Sequence, residues 1–260
     1  MIEESPIDLG NGLTGVLTRP QRPTAQPLWV LLNAGFIPRS GPFRMHVELA
    51  RSLAAEGVPV LRVDLPGVGD APPKRGDDIA VIRHGFDRLR ELAGADRFVI
   101  GGLCSAADQA WKVALADERV CGLLLLDPYA SRGAWFRIGQ LRILLGRGAS
   151  AMATVLGRLL RRKRAPDIDD GNLRDWPRPA DARVEFDRMV ARGVNVFALY
   201  TGGAASYFTH RAQFGATFGA FASARCVHFE HWPDCDHMFM RAQDRARLLQ
   251  AIRGWGRVFA

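Results

Sequence analysis

The sequence predicts an α/β protein built on a doubly wound, mostly parallel sheet, and three features carry that reading. Strand-type runs alternate with helix-type periodicity over most of the 260 residues. Two of the strand runs, Leu28-Trp29-Val30-Leu31-Leu32 and Gly122-Leu123-Leu124-Leu125-Leu126, are apolar without interruption, as a strand covered on both faces must be. Finally, Arg97-Phe98-Val99-Ile100-Gly101-Gly102-Leu103-Cys104-Ser105-Ala106-Ala107-Asp108 reads as strand, sharp turn and helix, with Cys104 at the bend and Ala107, Ala110, Trp111 and Ala114 at helical spacing beyond it.

Composition bounds the class. With 48% hydrophobic and 24% charged residues and a mean hydropathy of −0.05, the chain has the make-up of a soluble globular domain. No internal repeat, low-complexity tract or membrane-length apolar run interrupts it. Met1-Ile2-Glu3-Glu4-Ser5 lacks the apolar core of a secretion signal, and the four cysteines (Cys104, Cys121, Cys226, Cys235) lack C-x-x-C spacing. A reducing cytoplasm is the expected setting, without disulfides and without a zinc site. A formal net charge of +8 and a pI near 10.0 favour anionic partners.

Taken in order, Leu13 to Thr18 is a short strand, and Pro20, Pro23 and Pro27 mark a loop before the central run at Leu28. That run ends in Asn33-Ala34-Gly35-Phe36, where a glycine past a central strand lets backbone N–H groups turn toward the sheet edge; a plain strand-to-loop turn would look the same. Phe43 to Glu56 is helical and closed by Gly57. Val58 to Asp64 is the next strand. Leu65-Pro66-Gly67-Val68-Gly69-Asp70 follows, a glycine-rich turn without the third glycine of a dinucleotide fingerprint and with Pro72-Pro73 where a helix should begin. Asp77 to Leu92 is amphipathic helix leading into the Cys104 strand. The apolar strand after the elbow helix ends in Asp127-Pro128-Tyr129.

Residues 131–180 break the alternation with arginine-rich helical pattern, and we read them as a helical cap inserted into a core formed by residues 1–130 and 181–260. Arg161-Arg162-Lys163-Arg164 fits a solvated helix end better than a nucleic-acid site, since no aromatics interleave. Alternation resumes with a helix from Asp181 to Arg192 and a strand from Val194 to Tyr200, whose following turn, Thr201 to Ser206, carries no carboxylate. A short helix near Phe214 to Phe221, a strand from Arg225 to Phe229, a loop through Trp232 to Phe239 and a helix from Arg241 to Val258 complete the pattern.

Cys104 at a strand-to-helix bend is a place to mount a nucleophile. The small residues Gly102 and Ala106 flank it, and a helix N-terminus favours thiolate over thiol. His237 lies on the loop after the last strand. In chain order the residues are nucleophile, acid, base: Cys104, Asp127, His237. This order, with the elbow and the Gly35 turn, resembles the α/β-hydrolases over nearly the whole chain. More narrowly, Asn33 to Phe36, Arg62-Val63-Asp64-Leu65-Pro66-Gly67-Val68-Gly69-Asp70 and Gly102-Leu103-Cys104-Ser105-Ala106 are similar to hydrolases associated with exosortase and exopolysaccharide gene clusters. The resemblance implies a hydrolase fold and triad logic, with oxyanion donors from the backbone N–H groups of Ser105 and Phe36.

Two features depart from the resemblance: the nucleophile is Cys where most relatives have Ser, and the acid expected after the strand ending at Tyr200 is missing. Asp127 matches an alternative position for the acid. Asp234 and Asp236 lie in the His237 loop, and a Cys–His dyad would be workable without any of the three. His46 and His210 are candidate pocket residues, whereas His84, His228 and His231 read as structural. No spacing suggests a metal, and no cofactor is implied.

The cysteine narrows the chemistry. Against an oxygen ester, a tetrahedral intermediate expels the attacking thiolate more readily than alkoxide; against a thioester the two leaving groups are matched. The expected activity is acyl transfer from a small-molecule acyl thioester such as acyl-CoA, or from an acidic acyl carrier protein, with water or another acceptor completing it. An ester, lactone or amide hydrolase, or a non-catalytic scaffold of the same fold, are the rivals.

Overall fold

The chain opens with an antiparallel pair, β1 (Glu3–Asp8) and β2 (Thr14–Arg19), turned through Gly10, Asn11 and Gly12, all at positive φ. The computed structural model describes residues 2–74, 76–146, 174 and 176–260. Strand β1 is hard to see in the sequence because Glu3-Glu4-Ser5-Pro6 is polar and includes proline, but it is the sheet's edge, where polar residues and proline are tolerated.

Beyond it come β3 (Leu28–Leu31), β4 (Val60–Asp64), β5 (Phe98–Leu103), β6 (Val120–Leu126), β7 (Asn195–Thr201) and β8 (Val227–Trp232). The eight-stranded sheet runs in the order β1-β2-β4-β3-β5-β6-β7-β8. Strand β2 pairs antiparallel with β4, and every pairing from β4 through β8 is parallel. The central strands β3, β5 and β6 are almost wholly buried, which explains their unbroken apolar runs.

Helices α1 (Met45–Ala55), α2 (Asp78–Ala93) and α3 (Ser105–Ala116) link the parallel strands. Helix α4 (Ala134–Gly146) follows β6, and α5 (Pro179–Ala191), α6 (Ala212–Phe218) and α7 (Ala242–Gly256) complete the layers. They cover two faces. One buried cluster joins Val30, Leu61, Ile100, Leu123 and Val196 to α2, α3 and α5; the other joins Trp29, Leu31, Leu103, Leu124 and Phe197 to α1 and α7. Alternate residues of each strand supply the two clusters, as the pleat requires.

Several boundaries differ from those read in the sequence. The first helix begins at Met45, because Phe43 and Arg44 sit at φ 49° and 63° in a preceding 3-10 turn. The strand read to Tyr129 ends at Leu126, since Asp127 turns to φ 51°. The last strand continues past Phe229 to Trp232, its polar residues alternating along a sheet edge. Of the region read as a cap, α4 packs against the loop before α6: the Thr209 hydroxyl donates to the Phe136 carbonyl at 2.8 Å, and Gly139 has no room for a Cβ against Thr209. The basic cluster at 161–164 lies outside the described residues.

Candidate active site

Parallel strands bring their C-terminal ends to one sheet edge, and the site grows from three of those ends. Strand β5 runs out at Leu103, and Cys104 turns to φ 61°, ψ −121°, a strained conformation for a residue with a Cβ. The turn holds because its flanks are small. A Cβ on Gly102 would come within 2.6 Å of the Ala106 Cβ and 2.9 Å of the Leu32 carbonyl oxygen. The Cys104 N–H still completes the ladder to Leu126 at 2.9 Å, so the half-buried sulfur stands at the N-terminus of α3 on a fixed backbone.

On the next strand Asp127 does the same, its N–H donating to Leu199 at 2.7 Å. Its carboxylate has no solvent exposure. It accepts from the Thr201 N–H at 2.6 Å, the Thr201 hydroxyl at 2.7 Å and His237 Nδ1 at 2.6 Å. The residue at the end of β7, where an acid was expected, is thus a threonine that grips the Asp127 carboxylate of the neighbouring strand. The His237 loop is seated on the turn after β7. Gly202 N–H donates to the Cys235 carbonyl at 2.8 Å, and Gly203 lies flush against His237, where a Cβ would meet the His237 N at 2.6 Å. With Nδ1 on Asp127, Nε2 is left for the Cys104 sulfur, whose ionisation the ring favours.

Asp234 and Asp236 are engaged elsewhere. Asp234 is exposed and 3.8 Å from Arg247, while Asp236 caps its own loop by accepting from the Met238 and Met240 N–H groups. The Gly35 loop faces the elbow. Gly35, at φ 53°, donates its N–H to the Ser105 hydroxyl at 2.9 Å. Buried Asn33 braces the loop by donating to the Gly35 carbonyl at 2.7 Å and accepting from the Leu65 N–H at 2.9 Å. Phe36 follows, almost fully exposed.

No family model matches the sequence, and no curated protein matches it. Solved structures do. The chain is similar to a putative hydrolase from Agrobacterium vitis (18% identity, 98% of this chain and 99% of that one, TM-score 0.59). It is also similar to an α/β serine hydrolase homologue from Coxiella burnetii (15%, 99% and 97%, TM-score 0.56) and a dienelactone hydrolase from Anabaena variabilis (13%, 99% and 98%, TM-score 0.59). The chain has the α/β-hydrolase fold. At these identities the likeness is one of architecture.

Within this hydrolase fold, the turn Leu65 to Asp70 has a structural task. Asp64, fully buried at the end of β4, accepts from the Arg39 N–H at 2.6 Å and pairs with the Arg39 guanidinium, which also reaches Asp70 at 2.5 Å. Gly69 passes so close to Asp64 that no side chain fits there. This clamp fixes the loop that continues from Gly35 and Phe36.

His46 is not a pocket residue. It is 1% exposed, packed under Gly41, and burial holds its ring down to about 4, with the Arg62 charge adding to the effect. A neutral core histidine fits tightly there, and no room remains for a ligand. His210 takes part in docking α4: its ring stacks on Trp135 at 4.8 Å, and Nε2 meets Arg142 at 3.0 Å.

The residue that sequence reasoning missed is Arg174, whose side chain is 6% exposed. Nε and Nη2 grip the buried Asp108 carboxylate, Nη2 also donates to the Asp127 carbonyl at 3.1 Å, and Nη1 lies 3.5 Å from Cys104 Sγ. Trp176 and Tyr207 flank the guanidinium at 5.2 and 5.9 Å. The arginine-rich pattern of its region concealed it, because nothing local distinguishes one buried arginine from many solvated ones.

These charges set the protonation of the site. Burial pushes the Cys104 thiol up, but the His237 hydrogen bond, the Arg174 charge and the Ser105 N–H together bring it below its ordinary value. Burial likewise opposes charge on His237, yet Asp127 and Cys104 raise it to about 9. Both shifts favour a thiolate paired with an imidazolium. Among the described residues no cluster of His, Cys, Asp and Glu could hold a metal ion, and no helix is long and apolar enough to cross a membrane.

Proposed function

We propose that the protein is an acyl-transfer enzyme acting on thioesters through an acyl-Cys104 intermediate, with a Cys104–His237–Asp127 triad. The observation that carries this reading is a sulfur on a strained elbow beside an imidazole that favours its ionisation and whose Nδ1 lies 2.6 Å from a buried carboxylate. The Cys104 thiolate attacks the thioester carbonyl carbon, and the resulting oxyanion is held by the N–H groups of Ser105 and Phe36. Collapse breaks the bond to the leaving sulfur, which takes the His237 Nε2 proton and departs as a thiol. Neutral His237 then draws a proton from water or another acceptor as it attacks the acyl-enzyme. The second collapse expels Cys104 as thiolate beside the restored imidazolium.

Donor choice follows from the leaving groups: a thiolate attacking an oxygen ester is expelled in preference to alkoxide. The chain's net positive charge suits acyl-CoA or an acidic acyl carrier protein, with residues 131–180 as a cap over this edge. A role beside exosortase or exopolysaccharide biosynthesis goes with the motifs noted above. A second reading, hydrolysis of an ester or lactone, takes its support from neighbours named as a dienelactone hydrolase and an esterase domain.

Intact-mass spectrometry after incubation with acyl thioesters of several chain lengths tests the proposal. An adduct on the wild type that is absent from Cys104→Ala is expected. Its absence at every chain length, with turnover of activated lactones instead, favours the second reading, and absence of both favours a non-catalytic scaffold. Carrier-protein binding is expected to weaken as salt rises.

A further inference from the structure

Arg174 has no place in the triad, and its geometry calls for one. A buried ion pair is costly to assemble, and Nε and Nη2 alone would tie its chain segment to Asp108 and to the Asp127 carbonyl. The remaining edge of the guanidinium, Nη1, points at the Cys104 sulfur. Asp108 holds the far edge of the fork, so the sulfur meets an N–H dipole and a cation, with the carboxylate behind it. Trp176 and Tyr207 flank that plane.

We propose that Arg174 is the counter-ion of Cys104: a catalytic residue, in contact with the reacting atom, that carries the sulfur's negative charge before attack and again when the acyl group leaves. The inference rests on Cys104 being the nucleophile. The charged and titratable groups around the sulfur are His237 from the loop after β8, Asp108 on α3, Asp127 at the end of β6, and Tyr207 after β7, whose buried phenol donates to the Asp127 carbonyl. Of these only His237 and Arg174 are cations, and only Arg174 keeps its charge at every pH the protein survives. It therefore keeps a cation beside the sulfur whatever the protonation state of His237, so the free enzyme's thiolate retains a counter-ion above the pH at which the imidazole loses its proton.

The test reads the sulfur and uses no thioester. Ultraviolet thiolate titration and the pH dependence of iodoacetamide alkylation, each taken as a difference from Cys104→Ala, are compared in wild type and Arg174→Gln. In the variant the midpoint is expected to rise by about one pH unit, with alkylation at pH 6 to 7 slower by about tenfold and the limiting rate at high pH unchanged. Should Arg174→Gln fail to fold with Asp108 deprived of that ion pair, the double variant Arg174→Met, Asp108→Asn removes both charges of the pair together. Its midpoint is also expected to rise. A titration that matches wild type in a folded variant, or a midpoint that falls in the double variant, overturns the inference while leaving acyl transfer to be judged on its own adduct.

Discussion

Replacing Asp127 with asparagine tests the site most directly. The carboxylate is fully buried and accepts three hydrogen bonds, two from Thr201 and one from His237. Burial works against a charge on His237, yet the ring is held at about 9 against an ordinary 6.5, with the bond from Asp127 the largest favourable contribution. That difference is a preference for imidazolium of roughly 3 kcal/mol, or about three-hundredfold in the proton-binding constant. An asparagine keeps one oxygen and turns an NH2 toward a donor, so the charge disappears and one N–H or O–H loses its acceptor. The acidic limb of activity, set by the Cys104 thiol, is expected to move little. The alkaline limb is expected to fall from about pH 9 toward the ordinary 6.5, and kcat/KM on a thioester at pH 8 to drop about thirtyfold. The assay is the pH profile of kcat/KM, alongside thermal melting, since orphaned donors cost about 1–3 kcal/mol of stability. If the alkaline limb stays near 9 with activity within a few-fold of wild type, or if Asp236→Asn gives the same loss, the assignment of the acid is wrong.

Other perturbations separate packing from chemistry. Gly203→Ala is expected to push His237 off Asp127 and slow alkylation of Cys104 near neutral pH while the far-ultraviolet circular dichroism stays unchanged, because the atoms nearest the added Cβ all belong to His237. Gly102→Ala is expected to destabilise by about 1–3 kcal/mol in urea unfolding through its contact with Ala106, and Ala106→Gly in the same chain is expected to restore part of that loss. His46 binds its proton at about 4 folded and near 6.5 unfolded. Unfolding therefore takes up a proton between those values, and stability falls as pH drops through that window by up to about 3 kcal/mol. Urea midpoints of His46→Leu at pH 4 to 7 are expected to show a shallower acid slope, and an identical slope would refute the assignment. Thr201→Val removes the 2.7 Å hydroxyl bond to Asp127 but keeps the N–H bond. It is expected to cost about 1 kcal/mol of stability and lower kcat more than it changes KM.

Local chemistry in the sequence determined the strands, the order of the helices and the positions of Cys104, Asp127 and His237, because unbroken apolar runs, small residues around a bend and polar residues at strand ends are short-range signals. The edge strand β1 escaped notice, since an edge imposes little on its residues. Folding alone could decide which carboxylate meets His237. Three aspartates were available, and the choice came from parallel register, which sets Asp127 beside Thr201, and from a glycine that lets the His237 loop lie against β7. Folding likewise consigned His46 to the core and carried Arg174 to the sulfur across 70 residues of sequence. A charge acts on whatever lies within a few ångströms of it, and which groups those are is a property of the packed chain.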